Sequence, residues 1–145
     1  MVFASDHGDQ LLEHGLVGKN VFFESSIHVP FLVRWPGRIA PARRRELIET
    51  VYLVPTLLEL CCLTVPDRVQ GRSLAPLLAG APYSAREMVF AENAIPEVIT
   101  ANSMEYAYGP GKGVAGIRHP DAKMVRTARW KLTHYPGHGG ELYDL

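Results

Sequence analysis

Little in this sequence points to a membrane or to a polyanionic partner. No apolar run among its 145 residues is long enough to span a bilayer, and the opening MVFASDHG lacks the basic start and apolar middle of a signal peptide. The 15 basic residues equal the 15 acidic ones, so nucleic acid is not an expected partner. Neither the start of the sequence nor its charge indicates the cellular compartment of the protein. The hydrophobic fraction of 47% and the charged fraction of 21% are typical of a globular domain.

Cysteine is scarce, with only Cys61 and Cys62, which are adjacent. They lie in an apolar run with helical spacing, and neighbouring side chains of a helix point about 100° apart. A disulfide between them is therefore not expected. We predict two thiols in or near the core, without a redox or metal role.

Two short apolar runs predict buried strands. MVFAS, residues 1–5, runs into polar residues and Gly8. PFLVRW, residues 30–35, is continuous, rich in residues that favour strands, and stopped by Pro36. Continuous apolar strands of this kind are typical of sheets that are covered on both faces.

Helical spacing is clearest between residues 46 and 63, where apolar residues recur every three or four positions. Pro55 is tolerated only near the start of a helix, because it has no N–H group to donate. We therefore predict a helix over about 53–63. RSLAPLLAG predicts a shorter helical turn that ends at Gly80.

The sequence changes character after Pro82. KMVRTARWKLTHY, residues 123–135, carries charged residues at short intervals, which predicts an antiparallel strand pair with one face in water. GPGKGVAG is rich in glycine but lacks the flanking strand and helix of a phosphate loop, so a flexible loop is expected. The fold class predicted is α/β, followed by a small antiparallel β portion.

Asp6 and His7 follow the first predicted strand at its carboxyl end, which is where α/β sheets bind ligands. A carboxylate beside a neutral imidazole offers two ligands to a divalent cation. The oxygen suits Ca²⁺ or Mg²⁺, and the nitrogen suits Zn²⁺ or Mn²⁺. The alternative is a simple turn in which Asp6 caps the following segment, and the residues alone leave both interpretations open.

Four longer stretches connect these motifs: FASDHGDQLLEHGLVGKNVFFESSIHVPFLVRWPGRI, PTLLELCCLTVP, GRSLAPLLAG, and VRTARWKLTHYPG with the closing ELYDL. In this order they resemble the sulfatase family, in the carboxyl-terminal half of its alkaline-phosphatase-like catalytic domain. The resemblance implies that residues 1–90 belong to the α/β catalytic domain and form part of its sheet. Residues 91–145 would form a variable loop and a partial carboxyl-terminal β subdomain.

The resemblance also implies roles for individual residues. Asp6 and His7 match a pair of metal ligands, for a divalent cation expected to be Ca²⁺. Lys19, in GKN, matches a catalytic lysine that contacts the sulfate oxygens of the substrate. An ammonium and a divalent cation together stabilise the negative charge that develops on a reacting sulfate ester. His14 and Glu24 are expected to support the site without touching the substrate.

Two departures from the family pattern stand out. Tyr52 occupies the position of an aspartate that would cap the predicted helix. The formylglycine signature Cys/Ser-x-Pro-x-Arg does not follow Cys61 or Cys62, and the early acidic metal ligands of the family have no match. We therefore expect a carboxyl-terminal fragment of a sulfuric ester hydrolase, inactive by itself, whose complete parent acts on a sulfated small molecule or glycan. Formylglycine would lie in the amino-terminal half.

Two alternatives remain open at this stage. The first is a phosphonate monoester or phosphodiester hydrolase of the same superfamily. The second is a non-catalytic remnant that binds a partner through an exposed sheet edge.

Overall fold

The computed structural model describes residues 1–16, 18–93 and 121–145, which separate into two compact units. The first comprises Met1–Ala4 and Phe31–Val89, and the second comprises Ser5–Pro30 and Phe90–Leu145. In chain order the elements are β1 (Val2–Ala4), a 3-10 helix (Glu13–Gly15), α1 (Glu24–Ile27), β2 (Phe31–Val33), a 3-10 helix (Thr50–Tyr52), α2 (Leu53–Leu60), α3 (Ala75–Leu78), β3 (Met88–Glu92), β4 (Lys123–Thr127), β5 (Trp130–Tyr135) and β6 (Gly139–Asp144). The glycine-rich segment GPGKGVAG lies outside the described residues.

Both apolar runs at the start of the chain form strands. β1 and β2 pair antiparallel, with Phe3 opposite Leu32. The prediction that these strands are buried is wrong for this chain, because Phe3 is 58% exposed and Leu32 is 54% exposed. An apolar run indicates which side chains favour burial, but burial itself requires other layers of the fold that pack against the strands. The first unit leaves an open apolar cleft of about 390 Å³, lined by residues of β1, β2 and α2.

The best predicted helix is present but shorter than expected. α2 ends at Leu60, and Pro55 lies in its first turn as predicted. The chain then turns through Cys62, whose φ is 56°, so the helical spacing does not continue to residue 63. Both thiols are exposed as a result, which overturns the prediction of core cysteines. They are free, as expected.

The core of the first unit contains Tyr52, Leu74 and Leu77. Tyr52 takes the N-cap position of α2 without a side-chain capping bond, and only 1% of its surface is exposed. Thr56 Oγ1 donates to the Tyr52 carbonyl at 2.6 Å and accepts from the Leu74 amide at 2.8 Å, which ties α2 to the start of α3. α3 ends before Gly80, whose φ of 75° favours glycine, as predicted.

The second unit contains a sheet with the strand order β3-β4-β5-β6. The predicted pair over 123–135 is confirmed: β4 and β5 are antiparallel, and β6 continues the antiparallel pairing along β5. Lys131 and Thr133 point to a buried face of β5, whereas Leu132 is 42% exposed. Phe22, Ala122 and Met124 form a buried cluster in this unit. Among the described residues, none of the helices has the length and apolar character that crossing a bilayer requires.

Candidate functional site

Asp6, His7 and Lys19 lie together in the second unit. Lys19 Nζ is 2.5 Å from His7 Nε2, and Asp6 Oδ2 is 3.5 Å from the same ring nitrogen. The Asp6 side chain is 86% exposed and that of His7 is 38% exposed, so water and solutes can reach the group. Three residues that the sequence marks as functional therefore meet at one ring nitrogen.

Both ring nitrogens of His7 have polar neighbours. Nδ1 lies 2.8 Å from the carbonyl oxygen of Gly8, which can only accept a hydrogen bond. The ammonium of Lys19, at Nε2, can only donate. The tautomer with its hydrogen on Nδ1 satisfies both of these contacts. A backbone carbonyl that holds the opposite ring nitrogen is also the arrangement found behind histidines that bind metals.

The carboxylate of Asp6 is held in its ionised form. Loss of water alone would raise the pKa of Asp6, but the backbone amides of Asp6 and His7 and the nearby basic side chains outweigh this effect and lower the pKa below 3.8. The His7 amide donates to Asp6 Oδ1 at 3.0 Å. Oδ2 remains directed toward the His7 ring.

A close backbone contact at Gly8 positions the segment that follows His7. The Gly8 amide donates to the Ser26 carbonyl at 2.8 Å. A Cβ atom at position 8 would lie 1.8 Å from the carbonyl oxygen of Ser25, so only glycine fits there. Gln10 is 1% exposed, and its Nε2 donates to the hydroxyls of Ser25 and Ser26, each at 2.7 Å. The loop is thereby fastened to α1.

Lys19 is anchored through the backbone of Gly18. The Gly18 amide donates to Asp9 Oδ1 at 3.0 Å, and the Gly18 carbonyl accepts from the Gln10 amide at 2.9 Å. On the other side of Lys19, Asn93 Nδ2 donates to the Asn20 carbonyl at 3.0 Å. The exposed ammonium thus extends from a backbone that is fixed before and after it.

Glu24 joins α1 to the sheet of the second unit. Its carboxylate accepts from Arg126 Nη1 at 2.5 Å and from Lys131 Nζ at 3.1 Å. The side chain of Lys131 is only 4% exposed, and its Nζ also lies 5.1 Å from the centre of the Tyr143 ring. The carboxylate is engaged within the fold, which agrees with a supporting role.

His14 lies apart from this group. Its ring stacks on Phe23 with centroids 4.0 Å apart and an angle of 19° between the planes. It adopts a φ of 55°, which is uncommon for a residue other than glycine. The structure therefore brings together Asp6, His7 and Lys19, and it places His14 on the flank of α1.

The sequence matches a family model described as N-sulphoglucosamine sulphohydrolase, C-terminal, over residues 12–145. This match spans most of the chain. The chain belongs to the sulfatase family. The resemblance noted in the sequence is confirmed, as is the alkaline-phosphatase-like fold class with its antiparallel carboxyl-terminal portion.

Individual relatives also support the assignment of this chain to the sulfatase family. The Delta 4,5-hexuronate-2-O-sulfatase of Bacteroides thetaiotaomicron is 33% identical over 100% of this chain and 28% of its own length. Mouse arylsulfatase K is 29% identical over 100% of this chain and 24% of its own length. The crystal structure of the phosphonate monoester hydrolase of Agrobacterium radiobacter superposes with a TM-score of 0.78 and 30% identity, over 99% of this chain and 28% of that one. The sulfatase chain thus spans about a quarter of the length of these two curated relatives.

Asp6 Oδ2 and His7 Nε2 lie 3.5 Å apart. Carboxylate oxygens and imidazole nitrogens are both atom types that bind divalent cations. Within residues 1–16, 18–93 and 121–145, no group of three or more His, Cys, Asp or Glu side chains is close enough to hold a metal ion. Among the described residues, Asp6 and His7 therefore form a pair of metal-binding atom types and not a complete metal site.

The polar contacts that hold the site are not marked by any local pattern in the sequence. Gln10 is buried by two serines that lie 15 and 16 positions away, and no local pattern marks such a pairing. Lys131 sits within a strand predicted to have one wet face, yet it points to the buried one. The alternation of β5 was a usable signal, because it places Lys131 and Thr133 on the same face.

Proposed function

We propose that this chain forms the metal-binding and sulfate-binding edge of a sulfatase active site. Asp6 and His7 serve as ligands of a divalent cation, expected to be Ca²⁺, and Lys19 contacts the sulfate oxygens. The observation that carries the proposal is the meeting of Asp6 Oδ2, His7 Nε2 and Lys19 Nζ around one point. His14 and Glu24 keep supporting roles.

The chemistry follows from charge. A bound cation would polarise a sulfate oxygen and stabilise negative charge in the transition state. The Lys19 ammonium supplies hydrogen bonds to further sulfate oxygens, and its fixed backbone limits the reorganisation needed as charge develops. With its hydrogen on Nδ1, bonded to the Gly8 carbonyl, His7 would present Nε2 as a ligand.

For the substrate we propose a sulfate ester on a sugar or another small molecule. The support is the relative named Delta 4,5-hexuronate-2-O-sulfatase, which aligns with the whole chain. The second candidate is phosphonate monoester hydrolysis, because a hydrolase of that name superposes with a TM-score of 0.78. Both substrates present anionic oxygens to the same lysine and cation, so the residues of this site serve either chemistry.

The metal proposal is tested by following the His7 ring signals in NMR while Ca²⁺ is added. Two ligand residues give a weak site, and we expect a dissociation constant in or above the millimolar range. Asp6→Asn, which keeps the shape and removes the charge, should abolish the Ca²⁺-dependent shifts. Asp67→Asn is the matched control, because Asp67 is an exposed aspartate of the first unit. Micromolar binding, or equal effects of the two variants, would contradict the proposed ligands.

The substrate proposal is tested by adding an aryl sulfate or an aryl phosphonate monoester in the presence of Ca²⁺. We expect the sulfate ester to shift the signals of Lys19 and His7 at lower concentration. A preference for the phosphonate would favour the second candidate. If neither compound nor Ca²⁺ perturbs these residues, the proposed function is wrong, and a non-catalytic role becomes the better interpretation.

A further inference from the structure

Positive charge is concentrated in the first unit. The two segments of this unit, Met1–Ala4 and Phe31–Val89, contain eight of the eleven arginines of the chain, no lysine and only five acidic residues. Their side chains therefore carry an excess of three positive charges, although the whole chain has a formal net charge of zero. The balance of the whole chain conceals one basic unit, so the partner of this unit has to be considered by itself.

Five of these arginines lie in residues 34–45, RWPGRIAPARRR, which contain no acidic residue. We call residues 34–45 the basic segment. It follows β2 and forms neither helix nor strand. All five arginines of the segment are exposed: Arg34, Arg38, Arg43, Arg44 and Arg45. Like charges in one short segment repel one another, and an anionic partner that binds them relieves this repulsion.

The basic segment differs from other arginine-containing parts of the chain in its intramolecular contacts. Arg86, Arg126 and Arg129 each form an ion pair with a carboxylate. Among the described residues, no carboxylate forms an ion pair with a guanidinium of the basic segment. Even Glu46, which follows the segment directly, accepts its hydrogen bond from the backbone amide of Arg45, at 2.9 Å. Within this part of the chain, the guanidinium groups therefore keep their donors for water or for an anion from outside.

A turn places an aromatic ring beside this positive charge. The amides of Arg38 and Ile39 donate to the carbonyl of Trp35 at 3.0 and 2.9 Å, and Gly37 supplies the φ of 76° that the turn requires. The guanidinium carbon of Arg38 lies 5.7 Å from the centre of the Trp35 ring, and Trp35 is 40% exposed. The turn thus presents an apolar ring together with hydrogen-bond donors, which is the combination of groups that ligand sites of proteins use.

We propose that the basic segment, including Trp35, is a binding surface for a sulfated polysaccharide. Guanidinium groups bind tetrahedral anions through pairs of parallel hydrogen bonds, and this unit contains arginine without lysine. Short basic segments bind either nucleic acids or sulfated polysaccharides such as heparin. We choose the polysaccharide because the substrate proposed above is a sulfate ester on a sugar. This choice rests on the proposed function, whereas the anion-binding surface itself does not.

The test measures the binding of fluorescently labelled heparin to the purified chain, in comparison with chemically desulfated heparin and with duplex DNA of similar length. Several contacts between charges make the affinity for a polyanion fall steeply with salt. We expect heparin to bind at least about tenfold more weakly at about 200 mM than at about 50 mM NaCl. Heparin should also bind more tightly than either comparison polymer at the same salt concentration.

Two pairs of substitutions locate the surface. Arg43→Gln with Arg44→Gln removes two charges from the basic segment, and Arg68→Gln with Arg72→Gln removes two charges from exposed positions elsewhere in the first unit. The first pair should weaken heparin binding about five- to thirtyfold, with little change in the second pair. Trp35→Leu should weaken binding and leave its salt dependence unchanged, because the indole ring carries no charge. Circular dichroism checks that each variant is folded.

The outcomes separate this inference from the proposed function. Equal losses in the two pairs, or tighter binding of DNA or desulfated heparin than of heparin, would overturn the inference. An unchanged affinity in Trp35→Leu would overturn the part assigned to the ring. Heparin binding that needs Arg43 and Arg44, without any response of Lys19 or His7 to an aryl sulfate, would support this surface and contradict the proposed function. The reverse result would overturn the surface and leave the proposed function intact.

Discussion

Replacing Glu24 by glutamine keeps the shape of the side chain and removes its charge from the contact with Arg126 and Lys131. The Lys131 side chain is only 4% exposed, with its Nζ 3.1 Å from Glu24 Oε1. Removing one partner of a buried ion pair costs about 3–5 kcal/mol, because the other charge is left uncompensated. Glu24 is itself 40% exposed, so water screens part of the interaction. We therefore expect the free energy of unfolding to fall by about 2 kcal/mol.

Urea denaturation followed by the fluorescence of Trp130 measures this loss, since Trp130 lies on β5 of the second unit. A Trp35→Phe background removes the signal of the other tryptophan. With an m value of about 2 kcal/mol per molar, the midpoint should move down by about 1 M urea. Glu13→Gln, at an exposed glutamate of the same unit, is the matched control and should leave the midpoint nearly unchanged.

The loss should also depend on pH. Burial alone would raise the pKa of Glu24, but hydrogen bonds from Lys131 and Arg126 outweigh it and lower the pKa below 4.5. The stabilisation is therefore complete above the pKa of the unfolded chain and is lost as the pH falls through the lower pKa of the folded chain. The difference between wild type and Glu24→Gln should be constant near neutral pH and shrink in acid. A cost no larger than that of Glu13→Gln, or a difference that persists in acid, would refute this reasoning.

Three further predictions concern other parts of the chain. The buried hydroxyl of Tyr52 has no hydrogen-bond partner among the described residues, so Tyr52→Phe should leave the stability of the first unit unchanged or raise it by about 1 kcal/mol; a clear loss in urea denaturation would contradict this. Burial and the Glu141 carboxylate raise the pKa of Tyr143 to about 12, so Glu141→Gln should move its titration in ultraviolet absorbance toward 10.0, whereas an unchanged curve would assign the shift to burial alone. Finally, the purified chain should not hydrolyse an aryl sulfate above background, and turnover that disappears in Lys19→Ala would show this expectation to be wrong.

The secondary structure was predictable where the constraint is local. The position of Pro55 in the first turn of α2 follows from its missing N–H group, and the alternation along 123–135 follows from the pleat of a strand. The end of α2 was not predictable from spacing, because Cys61 and Cys62 continue the apolar run beyond the last helical turn. Their exposure follows from that early end.

The candidate site was predictable from the sequence only in part. The closeness of Asp6 and His7 follows from their adjacency, and the resemblance added Lys19, which the structure places beside them. Their roles remain predictions. The burial of Gln10 was not predictable, since its cost is offset only by hydroxyls that the fold brings from α1. Long-range polar pairs of this kind leave no periodic trace in a sequence.

The contacts of Glu24 also bear on the rates of folding and unfolding. Its partners Arg126 and Lys131 lie 102 and 107 positions further along the chain. Forming such contacts requires the closure of a long loop, which delays them relative to local turns and hairpins. A contact that forms after the transition state slows unfolding without accelerating folding. Glu24 is therefore expected to determine how long the second unit stays folded, while the speed at which that unit folds is set by its β4-β5-β6 hairpins.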